Sequence, residues 1–248
     1  MVEHSHDYKA FYVGAEHGTV DEIRDGVQWL RDFPGHGDGL LVVPTPDHLT
    51  RDAVIEVLPA LKLGQGFKLS DRWIKPVAHR GSFLGIAQGP VLTLWPDDFL
   101  GDLHALAGKT ALCVVPRFLR SIQAWISGMR AVDIRTGKAA APPRLDRVVE
   151  QAMLDLITFA NPVNRLIQTE EKAKAINMLE TLRDASYQLE PLALESWMIG
   201  RGRPLDEAGQ LAEYATGAND GKRYRIDRWS RRTAASILDQ WQSNADAL

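Results

Sequence analysis

An alternation of short apolar runs with longer amphipathic stretches dominates residues 8 to 137 and constrains the fold most strongly. The runs are apolar almost throughout, as strands tend to be when helices cover both faces of a parallel sheet. The alternation predicts an α/β unit with a mostly parallel sheet flanked by helices. The four predicted strands are YKAFYVG (8–14), GLLVVPT (39–45), PVLTLWP (90–96) and TALCVVP (110–116).

Residues 63–89 interrupt this alternation, because they contain five glycines, a proline and no clear helical stripe. Within them, SFLGIAQ (82–88) has the composition of a short strand. We interpret it as an antiparallel partner of VLTLW (91–95), which would make the sheet mixed.

A change of composition at residues 136–147, TGKAAAPPRLDR, indicates a boundary. Every longer segment after it has apolar residues at helical spacing, such as Ile176, Leu179 and Leu182. We therefore divide the chain into an α/β unit, residues 1–138, and an all-helical unit, residues 139–248. We expect the helical unit to serve assembly into a homo-oligomer.

The composition is that of an ordinary globular protein, and it limits the classes of partner. A net charge of −3 argues against a chain that wraps nucleic acid over its whole surface, so any contact with a polyanion must be local. The single cysteine, Cys113, excludes an internal disulfide and a cysteine-rich zinc site. We find no apolar stretch long enough for a signal peptide or a membrane span, and we expect a cytoplasmic protein without membrane contacts.

The carboxyl ends of the predicted strands are the expected ligand site, because loops and helix N-termini converge there in parallel sheets. This rule selects residues from their position alone. A small phosphorylated or nucleotide-like ligand is the type we expect. The selected residues are Gly14, His17, Gly18, Thr19, Thr45, His48, Asp98 and Arg117.

The segment GAEHGT (14–19) has two interpretations. Its glycines lie between a strand and a helix, where backbone N–H groups and the helix dipole favour a phosphate. However, it lacks the lysine of a P-loop and does not match GxGxxG. Alternatively, it is a turn in which Thr19 caps the next helix and Glu22 completes a capping box.

The polar residues after the other strands also have alternative roles. His48 with Asp47, Asp97 and Asp98 could hold a metal or act as acid and base. Alternatively, Asp47 and Asp97 lie in first helical turns, where a negative charge is favoured for structural reasons. Arg117 is either an anion contact or an ion-pair partner of Asp97 or Asp98. We assign no metal and leave the cofactor and any catalysis open, since no HExxH, CxxC or Ser-centred elbow occurs.

Residues 222–232, KRYRIDRWSRR, carry six basic side chains. Winding residues 223 to 241 as a helix places Ile226 and Trp229 on the buried side. The opposite side would be solvated or would contact another subunit. The alternative function for the protein is a regulatory or nucleic-acid-associated one, with this side as the contact. The arginines concerned are Arg225, Arg228, Arg231 and Arg232.

Overall fold

A computed structural model of the chain describes residues 8–14, 17–59, 61, 65–79, 87–106, 108–159 and 169–247. The chain divides into two compact units between Pro142 and Pro143. Gly200–Gly202 belong to the first unit, which contains the sheet, and the other residues from Pro143 onward form the helical unit. The boundary expected from the sequence, between residues 138 and 139, lies slightly earlier in the chain.

The first unit is built on a mostly parallel sheet with helices on its faces, which confirms the predicted fold class. Seven strands occur among the residues described. They are β1 (Lys9–Tyr12), β2 (Gly39–Val43), β3 (Phe67–Leu69), β4 (Arg72–Ala78), β5 (Pro90–Leu94), β6 (Ala111–Val115) and β7 (Val132–Asp133). Their order across the sheet is β3-β4-β2-β5-β6-β1-β7, and β3 alone of these is antiparallel to its neighbour.

The sheet is mixed, but the antiparallel pair differs from the predicted one. Residues 82–86 of the proposed partner lie outside the described residues. The proposed pairing with β5 is wrong, because β5 pairs in parallel with β2 on one side and β6 on the other. The antiparallel pair is β3 with β4. The sequence did not predict β4 as a strand, because Pro76 lies within it and Trp73 and Lys75 are exposed, so it lacks a continuous apolar run.

In the described part of the first unit the sheet is accompanied by the α-helices α1 (Val20–Asp32), α2 (Asp52–Val57), α3 (Leu100–Ala105) and α4 (Gln123–Gly128). The apolar residues of α1 and α2, such as Ile23, Leu30 and Val54, share one hydrophobic core with every second residue of the central strands. On this face the strands contribute Leu41, Val43, Leu92, Leu94, Cys113 and Val115.

The chain crosses the sheet in two opposite directions. After β1 and β2 it moves towards the β4 edge, and after β5 and β6 it moves towards the β7 edge. Because parallel crossovers are right-handed, α1 and α2 cover one face whereas α3 and α4 cover the other. The neighbours β2 and β5 are therefore followed by segments that leave to opposite faces, which opens a crevice at their carboxyl ends.

The helical unit contains α5 (Arg147–Phe159), α6 (Thr169–Asp184), α7 (Pro191–Gly200, except its last residue), α8 (Leu205–Asn219) and α9 (Arg231–Asp246). α6 packs against α8 and α9, and α5 packs against α9. The predicted apolar positions of α6 are buried. Among the described residues, no helix has the length and apolar character that crossing a membrane requires.

The predicted helix from residue 223 is wrong, because α9 begins only at Arg231. Ser230 caps it by accepting the Thr233 N–H at 3.1 Å. The residues before it are held outside a helix by Asn177 of α6. The Asn177 amide donates to the Asp227 carbonyl at 2.8 Å and accepts the Trp229 N–H at 3.0 Å. These bonds satisfy backbone groups that a helix would have used.

Replacing Asn177 should destabilise the helical unit. Asn177→Ala leaves the Trp229 N–H and the Asp227 carbonyl without these partners, which costs about 1–3 kcal/mol of unfolding free energy. Urea denaturation followed by circular dichroism measures the change. Asn244→Ala, at an exposed position of α9, is the control and should differ from the parent by less than about 0.5 kcal/mol. Equal stability of the two variants would contradict this account of the segment.

Candidate functional site

A cleft of about 310 Å³ opens at the carboxyl end of the sheet. The described residues that line it follow β2, β4, β5 or β6, so the cleft lies at the crevice between β2 and β5. The ends of four different strands therefore bring the lining side chains together. The lining consists of Pro44, Thr45, His48, His79, Trp95, Asp97, Asp98, Phe99 and Arg117.

Five of the eight residues selected from the sequence lie at this cleft or beside it. Thr45, His48, Asp98 and Arg117 line it. Gly18 lies against the lining residue Trp95, so closely that a Cβ atom at Gly18 would be 2.1 Å from the indole Nε1.

The other three selected residues are not part of the described lining. The Gly14 N–H donates to Asp133 Oδ1 at 3.2 Å, at the end of β7. Thr19 precedes α1 in a capping box, where its N–H donates to Glu22 Oε2 at 2.8 Å. His17 is exposed. The capping interpretation thus accounts for Thr19, while Ala15 and Glu16 of the same loop lie outside the described residues.

His48 lines the cleft, and its surroundings disfavour the protonated imidazole. Its Nδ1 is 2.7 Å from Thr45 Oγ1, and its ring centroid is 5.5 Å from that of Trp95. Burial lowers the pKa of His48, and the positive charges of Arg51 and Arg117 lower this pKa further. Nε2 of His48 has no hydrogen-bond partner among the described residues, so it is the nitrogen that remains for a ligand.

Trp95 forms the floor of the cleft in a strained backbone conformation. Its φ angle is +56°, in the left-handed region that bulky residues rarely adopt. Neighbouring groups stabilise Trp95 in this conformation. The Trp95 N–H donates to the Val115 carbonyl at 2.8 Å, and the Arg51 guanidinium lies 5.2 Å from the ring centroid. Strained residues of this kind are concentrated at functional sites.

His79 is the main lining residue that the sequence analysis missed. Its Nε2 is 2.7 Å from Asp102 Oδ2, and its ring stacks on Phe99 with centroids 4.4 Å apart. The His79 N–H donates to the Val43 carbonyl at 2.8 Å. The apolar residues at the end of β4, just before His79, could have indicated a strand end, but Pro76 interrupts their pattern.

Arg117 is not neutralised by the aspartates of the cleft. The alternative that it pairs with Asp97 or Asp98 is wrong, because Asp97 instead accepts a hydrogen bond from Ser121 Oγ at 2.7 Å and Asp98 is exposed. The Arg117 guanidinium forms no hydrogen bond or ion pair with any residue that the structure describes. A positive charge in the cleft therefore remains available.

The aspartates and histidines do not form a metal centre in the described part of the chain, where no group of three potential ligands comes together. The expectation that Asp97 lies in a first helical turn is wrong, since α3 begins at Leu100. Asp47 does lie in the first turn of a 3₁₀ helix, Pro46–Thr50. Its position there has the expected structural explanation.

The four arginines near the end of the chain do not share one helix face. Arg231 and Arg232 are in the first turn of α9, whereas Arg225 and Arg228 precede it. All four are exposed, and Arg228 is ion-paired with Glu180 of α6. A contact of these arginines with nucleic acid or another partner stays a prediction, as does assembly through the helical unit.

Comparison with known proteins bears on the helical unit only. Residues 145–242 match the family model described as a domain of unknown function, DUF1889. No curated protein and no solved structure matches the chain significantly. The cleft lies outside the matched residues, so its function has to be inferred from its geometry.

Adding a methyl group at Gly18 should displace Trp95. Gly18→Ala places Ala at a φ of +59° and against the indole. Gly137→Ala is the matched control, because Gly137 has a φ of +69° with no atom within 4 Å of the added Cβ. Each substitution lowers the unfolding free energy by about 1–2 kcal/mol, because alanine is disfavoured in the left-handed backbone conformation. We expect Gly18→Ala to lose about 1–3 kcal/mol more, from overpacking, in urea denaturation. Equal losses would show that Gly18 does not support Trp95.

Proposed function

We propose that the cleft at the carboxyl ends of β2 and β5 binds a small phosphorylated ligand. Arg117 carries this proposal, because it lines the cleft and its guanidinium has no partner among the described residues. A guanidinium matches the oxygens of a phosphate with two parallel hydrogen bonds. An arginine left unpaired in a cleft is suited to that role.

The surroundings of Arg117 favour an anion as well. The Arg51 guanidinium lies 5.2 Å from the Trp95 ring centroid, and the positive charges of Arg51 and Arg117 both lower the pKa of His48. The position supports the proposal independently, because ligands of parallel sheets bind where neighbouring strands send the chain to opposite faces.

The size of the cleft favours a compact ligand. Its volume of about 310 Å³ is near the lower end of the range of about 300–1,000 Å³ for small-molecule sites. A phosphate ester of the size of a mononucleotide or smaller suits this volume better than a dinucleotide does. The aromatic rings of Trp95 and Phe99 supply the apolar part of the lining.

Loss of the Arg117 charge should abolish most of the binding. Arg117→Gln removes charge-assisted hydrogen bonds of about 1.5–3 kcal/mol, which corresponds to a roughly 10- to 150-fold weaker affinity for inorganic phosphate in calorimetric titration. Arg120→Gln is the control, since the exposed Arg120 lies over Phe118 and not in the cleft lining. Absence of phosphate binding by the parent protein, or equal affinity of the Arg117 variant, would refute the proposal.

The affinity for sulfate should increase as the pH falls from 8 to 6. Sulfate keeps its charge over this range, whereas a bound anion raises the lowered pKa of His48 and makes proton uptake favourable. Binding is therefore tighter where His48 becomes protonated in the complex. Titrations of the parent and of His48→Gln at several pH values measure this. The variant should show little pH dependence, and an equal dependence in both proteins would exclude His48 as the cause.

A further inference from the structure

We propose that the ligand of the cleft is a phosphorylated sugar. Its phosphate contacts Arg117 and His48, and its hydroxyl groups donate hydrogen bonds to Asp97 and Asp98. This inference rests on the proposed function and adds the chemistry of the second half of the ligand.

The cleft holds opposite charges that do not neutralise one another. Arg117, Asp97 and Asp98 all line the same cleft of about 310 Å³, yet Arg117 forms no ion pair with either aspartate. Asp98 has no hydrogen bond or ion pair with the residues that the structure describes. A ligand that is anionic at one end and carries hydrogen-bond donors at the other satisfies both groups.

The two kinds of charge come from different segments around the cleft. The cations follow β2 and β6: Arg117 lines the cleft, and the Arg51 guanidinium lies over the lining residue Trp95. The acidic groups come from the turn between β5 and α3, which contains Asp97 and Asp98. Ser121 binds Oδ1 of Asp97, so Oδ2 of Asp97 and both oxygens of Asp98 remain as acceptors.

The aromatic residues of the lining favour a sugar over a simple charged molecule. Trp95 and Phe99 contribute apolar atoms to the lining of the cleft. These atoms suit the C–H groups of a sugar, while its hydroxyls reach the polar groups of the same lining. Two adjacent aspartates suit neighbouring hydroxyls, and an acidic residue binds ribose hydroxyls in dinucleotide-binding sheets.

Calorimetric titration with ribose 5-phosphate, methyl phosphate and phosphoethanolamine tests the inference. The parent protein should bind ribose 5-phosphate about tenfold or more tightly than methyl phosphate, because the hydroxyls add hydrogen bonds to charged acceptors. The double variant Asp97→Ala/Asp98→Ala should lose this preference. Its affinity for methyl phosphate should stay the same or increase, since the change removes negative charge from the cleft.

The control is Asp71→Ala, because Asp71 is fully exposed in the turn between β3 and β4. It should keep the preference for ribose 5-phosphate. Circular dichroism checks that the variants fold, and Asp98→Ala alone, at an exposed position, should already reduce the preference.

Three outcomes would overturn the inference. Equal affinities of the parent for ribose 5-phosphate and methyl phosphate would show that the hydroxyls are not recognised. A preference that survives the double variant would exclude the aspartates, and tighter binding of phosphoethanolamine would indicate a ligand with an ammonium group. In each case binding that still depends on Arg117 leaves the proposed phosphate site intact, whereas failure of all three compounds to bind rejects that site too.

Discussion

The packing of Trp95 at the carboxyl end of β5 is the constraint on which the geometry of the cleft depends. The ring occupies space that only a glycine at position 18 leaves free, and it lies against His48 and under Arg51. Because Trp95 has a left-handed backbone, the chain turns sharply after the strand and directs Asp97 and Asp98 into the lining. One strained residue thus connects the loops after β1, β2 and β5.

Burial explains how much of the fold could be predicted from the sequence. β2, β5 and β6 were found because they are buried along their whole length and are apolar almost throughout, and β1 was found from its aromatic and apolar run although it is only partly buried. β4 was missed because Trp73 and Lys75 are exposed and Pro76 interrupts its pattern. The order of the strands depends on pairing between distant segments, which hydrophobic periodicity does not encode. The crevice between β2 and β5 therefore appeared only in the structure.

The same distinction applies to individual residues. Thr45, His48, Asp98 and Arg117 were selected because they follow predicted strands, and a parallel sheet brings such positions together. The non-helical segment before α9 was missed because it depends on Asn177, about 50 residues earlier in the chain. The helical spacing of apolar residues continues through this segment, so the sequence predicted a helix that starts too early. Ser230, which the structure shows to be the N-cap, was not recognised as the start.

The cation in the cleft determines how a bound anion would act on stability. Among the described residues Arg117 forms no ion pair, since Asp97 accepts a hydrogen bond from Ser121 and Asp98 is exposed. An anion that pairs with Arg117 and binds only the folded chain stabilises that chain by mass action. Under the proposed function, the ligand therefore supplies an ionic partner that the described residues do not.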